Sequence, residues 1–101
     1  MAIDRLVGLQ VADEAGYAEY RRRMLPILAS FGGSFVVDVR VGEVLLAPGG
    51  ATFNRMFVLR FPDEAAMTAF FANPGYREVR AAHFEPSVSS STPLGRYHVL
   101  G

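Results

Sequence analysis

The spacing of apolar positions in the first third of the chain predicts a strand followed by a helix. Apolar side chains partly alternate with others between Ile3 and Val11, as in a strand with both faces partly covered. After Asp13, which is suited to capping a helix, apolar positions recur at helical spacing. They are Tyr17, Tyr20, Met24, Ile27, Leu28 and Phe31. Pro26 predicts a kink or an early end of this helix, and Gly32-Gly33 predicts its stop, with one glycine left-handed.

The middle of the chain predicts two strands joined by the loop sequence Pro48-Gly49-Gly50. The first is expected between Ser34 and Leu46, and the second between about Phe53 and Phe61. In the first strand, alternation places on one face Phe35, Val37, Val39 and Val41. In the second strand it places on one face Phe53, Arg55, Phe57, Leu59 and Phe61. The other face carries Val36, Asp38 and Arg40 in the first strand, and Asn54, Met56, Val58 and Arg60 in the second.

A junction at Phe61-Pro62-Asp63 connects the second of these strands directly to a second helix, with Asp63 as its predicted cap. Asn73-Pro74 ends that helix and can start a short third one. A last strand is expected between Ser87 and Leu100, bent near Pro93. The resulting order is β-α-β-β-α-β. It predicts an α+β, ferredoxin-like fold with a four-stranded antiparallel sheet and the helices on one face.

Helices on one face leave the opposite face of the sheet uncovered. That face is expected to expose Leu6, Val36, Met56 and Val58. An apolar patch of this kind on a small protein usually marks an interface. We therefore expect a homodimer in which two sheets pack face to face.

Composition narrows the range of partners. The 101 residues, half of them hydrophobic, are enough for one domain, which we expect to span 1–101. The formal net charge of zero argues against nucleic acid or an anionic membrane as a partner. The absence of cysteine excludes disulfides and a cysteine nucleophile. No apolar run approaches the roughly 18 residues of a membrane span, and the N-terminus is unlike a signal peptide, so we expect a cytoplasmic protein.

Three segments carry a resemblance to a known family. They are Tyr17-Ala18-Glu19-Tyr20 with Pro26 and Gly32-Gly33, then Arg55 through Phe61-Pro62-Asp63, then Phe70-Phe71-Ala72-Asn73-Pro74-Gly75-Tyr76 with Arg80. The pattern resembles the DUF1330 family, a domain of unknown function in the dimeric α/β-barrel superfamily. The resemblance implies a ferredoxin-like protomer whose sheet packs on a partner's sheet, and a small-molecule cavity between sheet and helices. Related branches include cofactor-free monooxygenases of aromatic polyketides, isomerases and haem-degrading enzymes.

The polar residues with the greatest chemical interest lie on the predicted helices. Tyr76, Arg80 and His83 share one helical face, and an imidazole beside an arginine could act as a base. The alternative is a surface arginine with a partly buried structural histidine. Tyr17 and Tyr20 are expected to be core aromatics with hydroxyls at the edge, or to point those hydroxyls into a cavity.

Charged residues on the strands offer a second group of candidates. Asp38 and Arg60 are expected on the barrel-facing sides of neighbouring strands, where they could form an ion pair or where Arg60 could bind an anion. Arg21, Arg22 and Arg23 are expected to form a solvated helix face. His83 and His98 are far apart, and no histidine–carboxylate spacing indicates a metal site.

These residues support two functional hypotheses. The first is a small enzyme that acts on an apolar or aromatic metabolite without a cofactor, with His83, Tyr17 and Arg80 as catalytic groups. Tyr20, Tyr76, Arg60 and Asp38 would then contact the ligand. The second is a module that binds a small molecule or a partner without catalysis. A closed cavity with convergent polar groups would favour the enzyme, and a solid core would favour the module.

Overall fold

The structure of the protein, a computed structural model, describes residues 1–100. The strands are β1 (Ile3–Val11), β2 (Ser34–Arg40), β3 (Arg55–Phe61) and β4 (Val88–His98), and the longer helices are α1 (Glu14–Ser30), α2 (Glu64–Ala72) and α3 (Pro74–Val79). A 3₁₀ turn spans Pro48–Gly50. A π-helical segment, Arg80–Phe84, and a last helical turn, Glu85–Ser87, lead from α3 to β4. None of the helices in this part of the chain is long and apolar enough to cross a membrane.

The four strands form one antiparallel sheet in the order β2-β3-β1-β4. The two central strands, β1 and β3, carry most of the buried strand residues because each has a neighbour on both sides. The helices contribute their buried side chains to one face of this sheet. This arrangement confirms the predicted α+β, ferredoxin-like order with helices on one face.

Side-chain caps fix the starts of all three helices at the predicted residues. Asp13 accepts a hydrogen bond from the backbone N–H of Gly16 at 3.1 Å, and Asp63 accepts one from Ala66 at 2.7 Å. Asn73 accepts from the N–H of Tyr76 at 2.9 Å. These bonds satisfy donors that a helix leaves unpaired in its first turn.

The end of α1 follows the predicted glycine stop. Gly32 has a φ of 75°, and the N–H of Gly33 donates to the carbonyl of Leu28 at 2.9 Å. The left-handed residue is glycine because it has no Cβ to clash in that conformation. The helix does not end at Pro26 but continues to Ser30. Proline removes only the bond to the carbonyl of Arg22, which lies on an exposed turn where water can bond it.

The hydrophobic core fills the space between the sheet and the helices. It contains Ile3, Val7, Leu9, Val11, Tyr17, Tyr20, Met24, Leu28, Phe57, Leu59, Phe61, Met67, Phe70, Tyr76 and Phe84. The buried α1 residues are members of the predicted helical stripe, and those of β1 and β3 have the predicted period of two. Phe61 and Phe70 are fully buried, with ring centroids 5.6 Å apart, so the strand-to-helix junction lies at the centre of the core.

Strand β2 departs from the prediction in length and in the direction of its side chains. It ends at Arg40, well short of Leu46. Phe35 pairs with Leu59 but Val37 pairs with Val58, so Val36 is an extra residue in a bulge. Since side chains alternate with a period of two, one extra residue reverses the faces beyond it. The assignment of Val37 and Val39 to the face of Phe35 is therefore wrong.

The register beyond the bulge puts Asp38 and Arg40 opposite Phe57 and Arg55, on the helix side of the sheet. Val37 and Val39 lie opposite Val58 and Met56 on the uncovered side, where they are 40% and 43% exposed. The uncovered side, called the open face below, therefore carries more apolar surface than the sequence alone predicted. Its apolar members include Leu6, Val37, Val39, Met56 and Val58. The expected exposure of Val58 is wrong, because this side chain is only 8% exposed within the protomer.

The predicted position of Phe53, on the same face as Phe57, is also wrong. It precedes β3, and a Cβ built on Gly8 would come within 2.6 Å of its ring. Gly8 lies between the core residues Val7 and Leu9, so its missing side chain would point to the open face. The Phe53 ring therefore covers the open side of β1 instead of joining the core side with Phe57, and only glycine leaves room for it.

The last strand is bent where the sequence predicted. Leu6 of β1 pairs with Gly95 and Val7 pairs with Pro93, so Leu94 is an extra residue in β4. Proline is tolerated there because β4 is an edge strand and needs no donor on its outer side.

The junction at Phe61 and Asp63 leads to a stability prediction. Phe61→Ala leaves a cavity between β3 and α2 and should lower the free energy of unfolding by about 3–5 kcal/mol. Asp63→Ala removes only an exposed cap and should cost about 1 kcal/mol. Urea denaturation measures both values, and a larger loss for Asp63→Ala than for Phe61→Ala would contradict this description of the core.

Candidate ligand site

Two buried tyrosines meet between the helices. Tyr20 lies in the middle of α1, and Tyr76 is oriented by the Asn73 cap at the start of α3. Their hydroxyl oxygens are 2.8 Å apart, which is a hydrogen bond between two residues from distant parts of the chain. Phe70 and Phe84 flank the pair, with the Phe70 and Tyr76 ring centroids 4.2 Å apart and those of Tyr20 and Phe84 5.0 Å apart. The aromatic neighbours fix where the two hydroxyls lie.

Tyr20 and Tyr76 both line a small cavity, which we call the tyrosine cavity. Its volume is about 70 Å³. It is lined by Arg5, Val7, Leu9, Tyr20, Phe57, Leu59, Phe71, Tyr76, Arg80, Phe84 and Ser91. Six of these eleven residues are apolar, and the other five, Arg5, Tyr20, Tyr76, Arg80 and Ser91, bring polar groups to the same space.

The electrostatic environment keeps Tyr20 protonated. Burial strongly raises the pKa of its hydroxyl, and the neighbouring Tyr76 hydroxyl raises it further. Burial raises the pKa because the charged phenolate would lose its solvation. Tyr20 can therefore donate or accept a hydrogen bond as a neutral hydroxyl, and it is a poor general base near neutral pH.

A larger, open groove adjoins this cavity. It has a volume of about 620 Å³ and shares Arg5, Phe71, Tyr76 and Arg80 with the walls of the cavity. Its complete lining is Arg5, Met67, Thr68, Phe71, Ala72, Tyr76, Arg77, Arg80 and Arg96. We call it the arginine groove because four of these residues are arginines. The four shared residues place the two spaces next to each other.

Two arginines of the groove are held against aromatic rings. The Arg5 guanidinium lies 4.8 Å from the centroid of the Phe71 ring, and the Arg80 guanidinium lies 4.4 Å from that of Phe84. Stacking of this kind orients a cation without neutralising it. Sequence reasoning missed Arg5, although its odd number places it on the same face of β1 as Ile3 and Val7.

The structure separates His83 from the other members of its predicted face. Tyr76 and Arg80 line the tyrosine cavity together, but the next residue on that wall is Phe84. A π-helical turn contains more residues than an α-helical turn, so the segment from Arg80 shifts the face by one position. His83 lines neither the cavity nor the groove. Its catalytic role stays a prediction, without support from the geometry of these two spaces.

Tyr17 and Asp38 do not line the tyrosine cavity, although the Tyr17 ring centroid is 5.7 Å from that of Tyr20. Asp38 accepts hydrogen bonds from Arg55 Nε at 2.9 Å, from Arg55 Nη2 at 3.0 Å and from Arg21 Nη1 at 2.7 Å. Tyr17 is buried beside this network, with the Arg55 guanidinium 5.1 Å from its ring centroid. A shallow depression of about 530 Å³ lies against Tyr17, Arg21 and Arg55. Because acids and arginines neutralise one another here, we interpret the network as structural.

The expected ion pair between Asp38 and Arg60 is wrong. Arg60 instead donates from Nε and Nη2 to the two carboxylate oxygens of Asp4, at 2.7 and 2.9 Å. Arg60 lies opposite Ser34, four residues from Asp38 along β2, and the bulge at Val36 also turns Asp38 to the helix side while Arg60 stays on the open side. Arg21 also belongs to the Asp38 network and not to a solvated row with Arg22 and Arg23.

Comparisons with known proteins place this geometry in context. The model of the family described as domain of unknown function DUF1330 matches residues 5–90. A protein of unknown function from Rhodopseudomonas palustris is similar with 23% identity and a TM-score of 0.82, over 99% of this chain and 83% of that one. SnoaB, a cofactor-independent oxygenase from Streptomyces nogalater, is similar with 17% identity and a TM-score of 0.68, over 99% and 94%.

A dimeric ferredoxin-like protein of unknown function from Jannaschia is also similar, with 14% identity and a TM-score of 0.60, over 98% of this chain and 100% of that one. At these identities the structural likeness shows a shared fold. A search of the curated proteins found no match.

The Asp38 network leads to a pH-dependence prediction. The hydrogen bond from Arg55 lowers the pKa of the Asp38 carboxyl, and the contact with Arg21 lowers it further against the opposing effect of burial. A carboxyl with a lowered folded pKa stabilises the fold above its unfolded pKa of about 3.9, and this stability is lost as the pH falls through the folded pKa. Asp38→Asn should lower the free energy of unfolding by about 1–3 kcal/mol at pH 7. The deficit should shrink as the pH falls below about 4.

Urea denaturation across this pH range measures the effect. Glu43→Gln is the matched control, since Glu43 is exposed and makes no ion pair within residues 1–100. Equal and pH-independent losses for the two variants would show that the network does not stabilise the fold.

Proposed function

The chain belongs to the DUF1330 family, whose model matches residues 5–90, and we propose that it is a homodimeric protein that binds a small molecule in the tyrosine cavity and the adjoining arginine groove. The observation that carries the proposal is the hydrogen-bonded pair of Tyr20 and Tyr76 in the wall of a cavity between sheet and helices. A buried hydroxyl pair next to empty space can exchange its mutual bond for bonds to a ligand.

The sizes of the two spaces suggest how a ligand would divide between them. Small-molecule sites usually enclose about 300–1,000 Å³. The tyrosine cavity, at about 70 Å³, admits only a few non-hydrogen atoms, whereas the groove offers about 620 Å³. We therefore propose that one polar end of the ligand reaches the Tyr20 and Tyr76 hydroxyls while its larger part lies in the groove.

The open face supports the proposed homodimer. Its apolar side chains lie together on neighbouring strands β1, β2 and β3, and Val37 and Val39 stay 40% and 43% exposed. Exposed apolar patches of this kind are typical of interfaces. The similar Jannaschia protein is described as dimeric. Pairing two open faces would bury the patches and leave the tyrosine cavity, on the other side of the sheet, available to ligand.

A second candidate function is a cofactor-independent enzyme that acts on a small apolar or aromatic metabolite. The likeness of the whole chain to SnoaB, with a TM-score of 0.68, favours it. Under this candidate the groups near the substrate would be Tyr20, Tyr76 and Arg80, and His83→Gln should leave ligand binding unchanged. Oxygen uptake or product formation from a bound compound without added cofactor would favour the enzyme over the binding protein.

The binding proposal predicts a ligand that depends on the tyrosine hydroxyls. In a thermal-shift screen of a metabolite library, a compound that binds the folded state should raise the Tm by mass action. Tyr20→Phe and Tyr76→Phe should each reduce the shift, because a lost hydrogen bond to ligand weakens binding by about 0.5–1.5 kcal/mol. Each variant is compared with its own unliganded Tm, since the hydroxyl pair also stabilises the fold.

Tyr97→Phe is the control for that screen, because Tyr97 is 57% exposed and belongs to the edge strand. Compounds whose shift is the same in all three variants bind elsewhere. A library with no compound that depends on Tyr20 or Tyr76 would contradict the proposed site.

The dimer proposal predicts that a charge on the open face weakens association. Met56→Glu would bury an unpaired carboxylate between two sheets, a change that typically costs several kcal/mol. Light scattering should report twice the monomer mass for the wild type and a shift towards monomer for the variant. Leu25→Glu, an equivalent change at a 42% exposed position on α1, should remain dimeric. A wild type that is monomeric at micromolar concentration would refute the dimer.

A further inference from the structure

The arginine groove concentrates positive charge in an otherwise neutral protein. Arg5, Arg77, Arg80 and Arg96 line it, and none of its lining residues is acidic. Arg5 and Arg96 are direct cross-strand partners on β1 and β4, an arrangement in which like charges destabilise a sheet. The formal charge of the whole chain is zero, so this local excess is not the result of a basic composition.

In the part of the chain that the structure describes, most arginines outside the groove form ion pairs with carboxylates, whereas most of those in the groove do not. Six of the ten arginines form ion pairs within residues 1–100: Arg21, Arg22, Arg23, Arg55, Arg60 and Arg96. Of the other four, Arg5, Arg77 and Arg80 all line the groove, and only Arg40 does not. Arg77 is partly occupied, because its Nε donates to the carbonyl of Phe71 at 3.3 Å. Within residues 1–100, Arg5 and Arg80 are therefore the groove arginines whose guanidinium groups have neither an ion pair nor a hydrogen bond to a backbone carbonyl.

Arg5 and Arg80 are also the two arginines that line the tyrosine cavity. Their stacking on Phe71 and Phe84 fixes two cations at the place where the cavity and the groove meet. Burial lowers the pKa of Arg5, and the nearby positive charges of Arg80 and Arg96 lower it further, while Tyr76 opposes this effect. An anion at this place would relieve the repulsion that the folded protein now tolerates.

We propose that the ligand carries an anionic group, a carboxylate or a phosphate ester, that binds between Arg5 and Arg80, where the cavity meets the groove. One polar end of the ligand reaches the Tyr20 and Tyr76 hydroxyls, and its larger part lies in the groove. This inference rests on the proposed binding function and specifies the chemical class of its ligand. Guanidinium groups suit the role because each presents several donors in a plane that matches carboxylate and phosphate oxygens. Arg96 is already paired with Glu64, from which its Nη2 is 3.0 Å, so we assign it no direct contact with the anion.

The test uses three probes that share a phenyl ring and differ in the attached group: benzoate, phenyl phosphate and the neutral benzamide. Binding to the full-length protein is followed by nuclear magnetic resonance titration and by thermal shift at constant ionic strength. One of the anionic probes should bind at least about tenfold more tightly than benzamide, since hydrogen bonds to a charged group are the stronger ones. The ranking of benzoate and phenyl phosphate distinguishes the two anion classes.

Arg5→Met and Arg80→Met remove one charge each and keep an apolar side chain against the aromatic ring. Each should weaken the tighter-binding anionic probe by about ten- to hundredfold and leave benzamide unchanged. Arg40→Met is the matched control, because Arg40 also lacks an ion pair within residues 1–100 and lies outside the groove. The unliganded Tm is a second readout, because replacing an arginine that only stabilises the fold would lower it. Arg5→Met should not lower it, since the substitution removes repulsion with Arg96.

The outcomes separate this inference from the function on which it rests. If benzamide binds as tightly as the anions and Tyr20→Phe weakens all three, the cavity binds ligands but the anionic class is wrong. If the anions bind equally well to the Arg5→Met, Arg80→Met and wild-type proteins, the assignment to these arginines is overturned. If none of the probes binds, the inference fails, and the metabolite screen with Tyr20→Phe decides separately whether the cavity binds any ligand.

Discussion

Packing all the helices on one face of the sheet is the constraint on which the other features of this protein depend. An antiparallel sheet needs one covered face to form a core, and α1, α2 and α3 supply that cover. Because α1 and α3 must share this face, Tyr20 and Tyr76 are brought together although 56 positions separate them along the chain. The same packing leaves the other face without helices, so Val37 and Val39 stay exposed there and are available for the proposed dimer.

Two local irregularities, one in a strand and one in a helix, decide which polar groups meet between the sheet and the helices. The bulge at Val36 turns Asp38 to the helix side, where it joins Arg21 and Arg55 in place of Arg60. The π-helical segment that begins at Arg80 puts Phe84, and not His83, beside the tyrosines. Bulges and π turns each insert about one residue into a regular repeat, and they are often found at functional sites. In this chain one of them forms a structural charge network and the other shapes the candidate ligand site.

The distribution of arginines separates stabilising from ligand-binding roles. Arg55 and Arg60 each meet a carboxylate through two nitrogens, which satisfies both partners inside the protomer. Arg5 and Arg80 instead stack on aromatic rings and keep their charge unneutralised at the junction of the cavity and the groove. An unneutralised, oriented cation costs some stability, and such costs are characteristic of binding sites.

The sequence by itself determined the elements, because local signals specify them. Caps at Asp13, Asp63 and Asn73, the glycine stop at Gly32 and regular apolar spacing act within a few residues of one another. Only the tertiary structure decided to which face of the sheet the side chains of β2 point after Val36. It also decided that Arg80 and Phe84 line the tyrosine cavity and that Tyr20 bonds to Tyr76. A one-residue shift leaves little trace in composition or spacing, yet it reverses every side chain beyond it. Contacts across the core depend on how whole elements pack, so the fold could be derived from local chemistry while the candidate site could not.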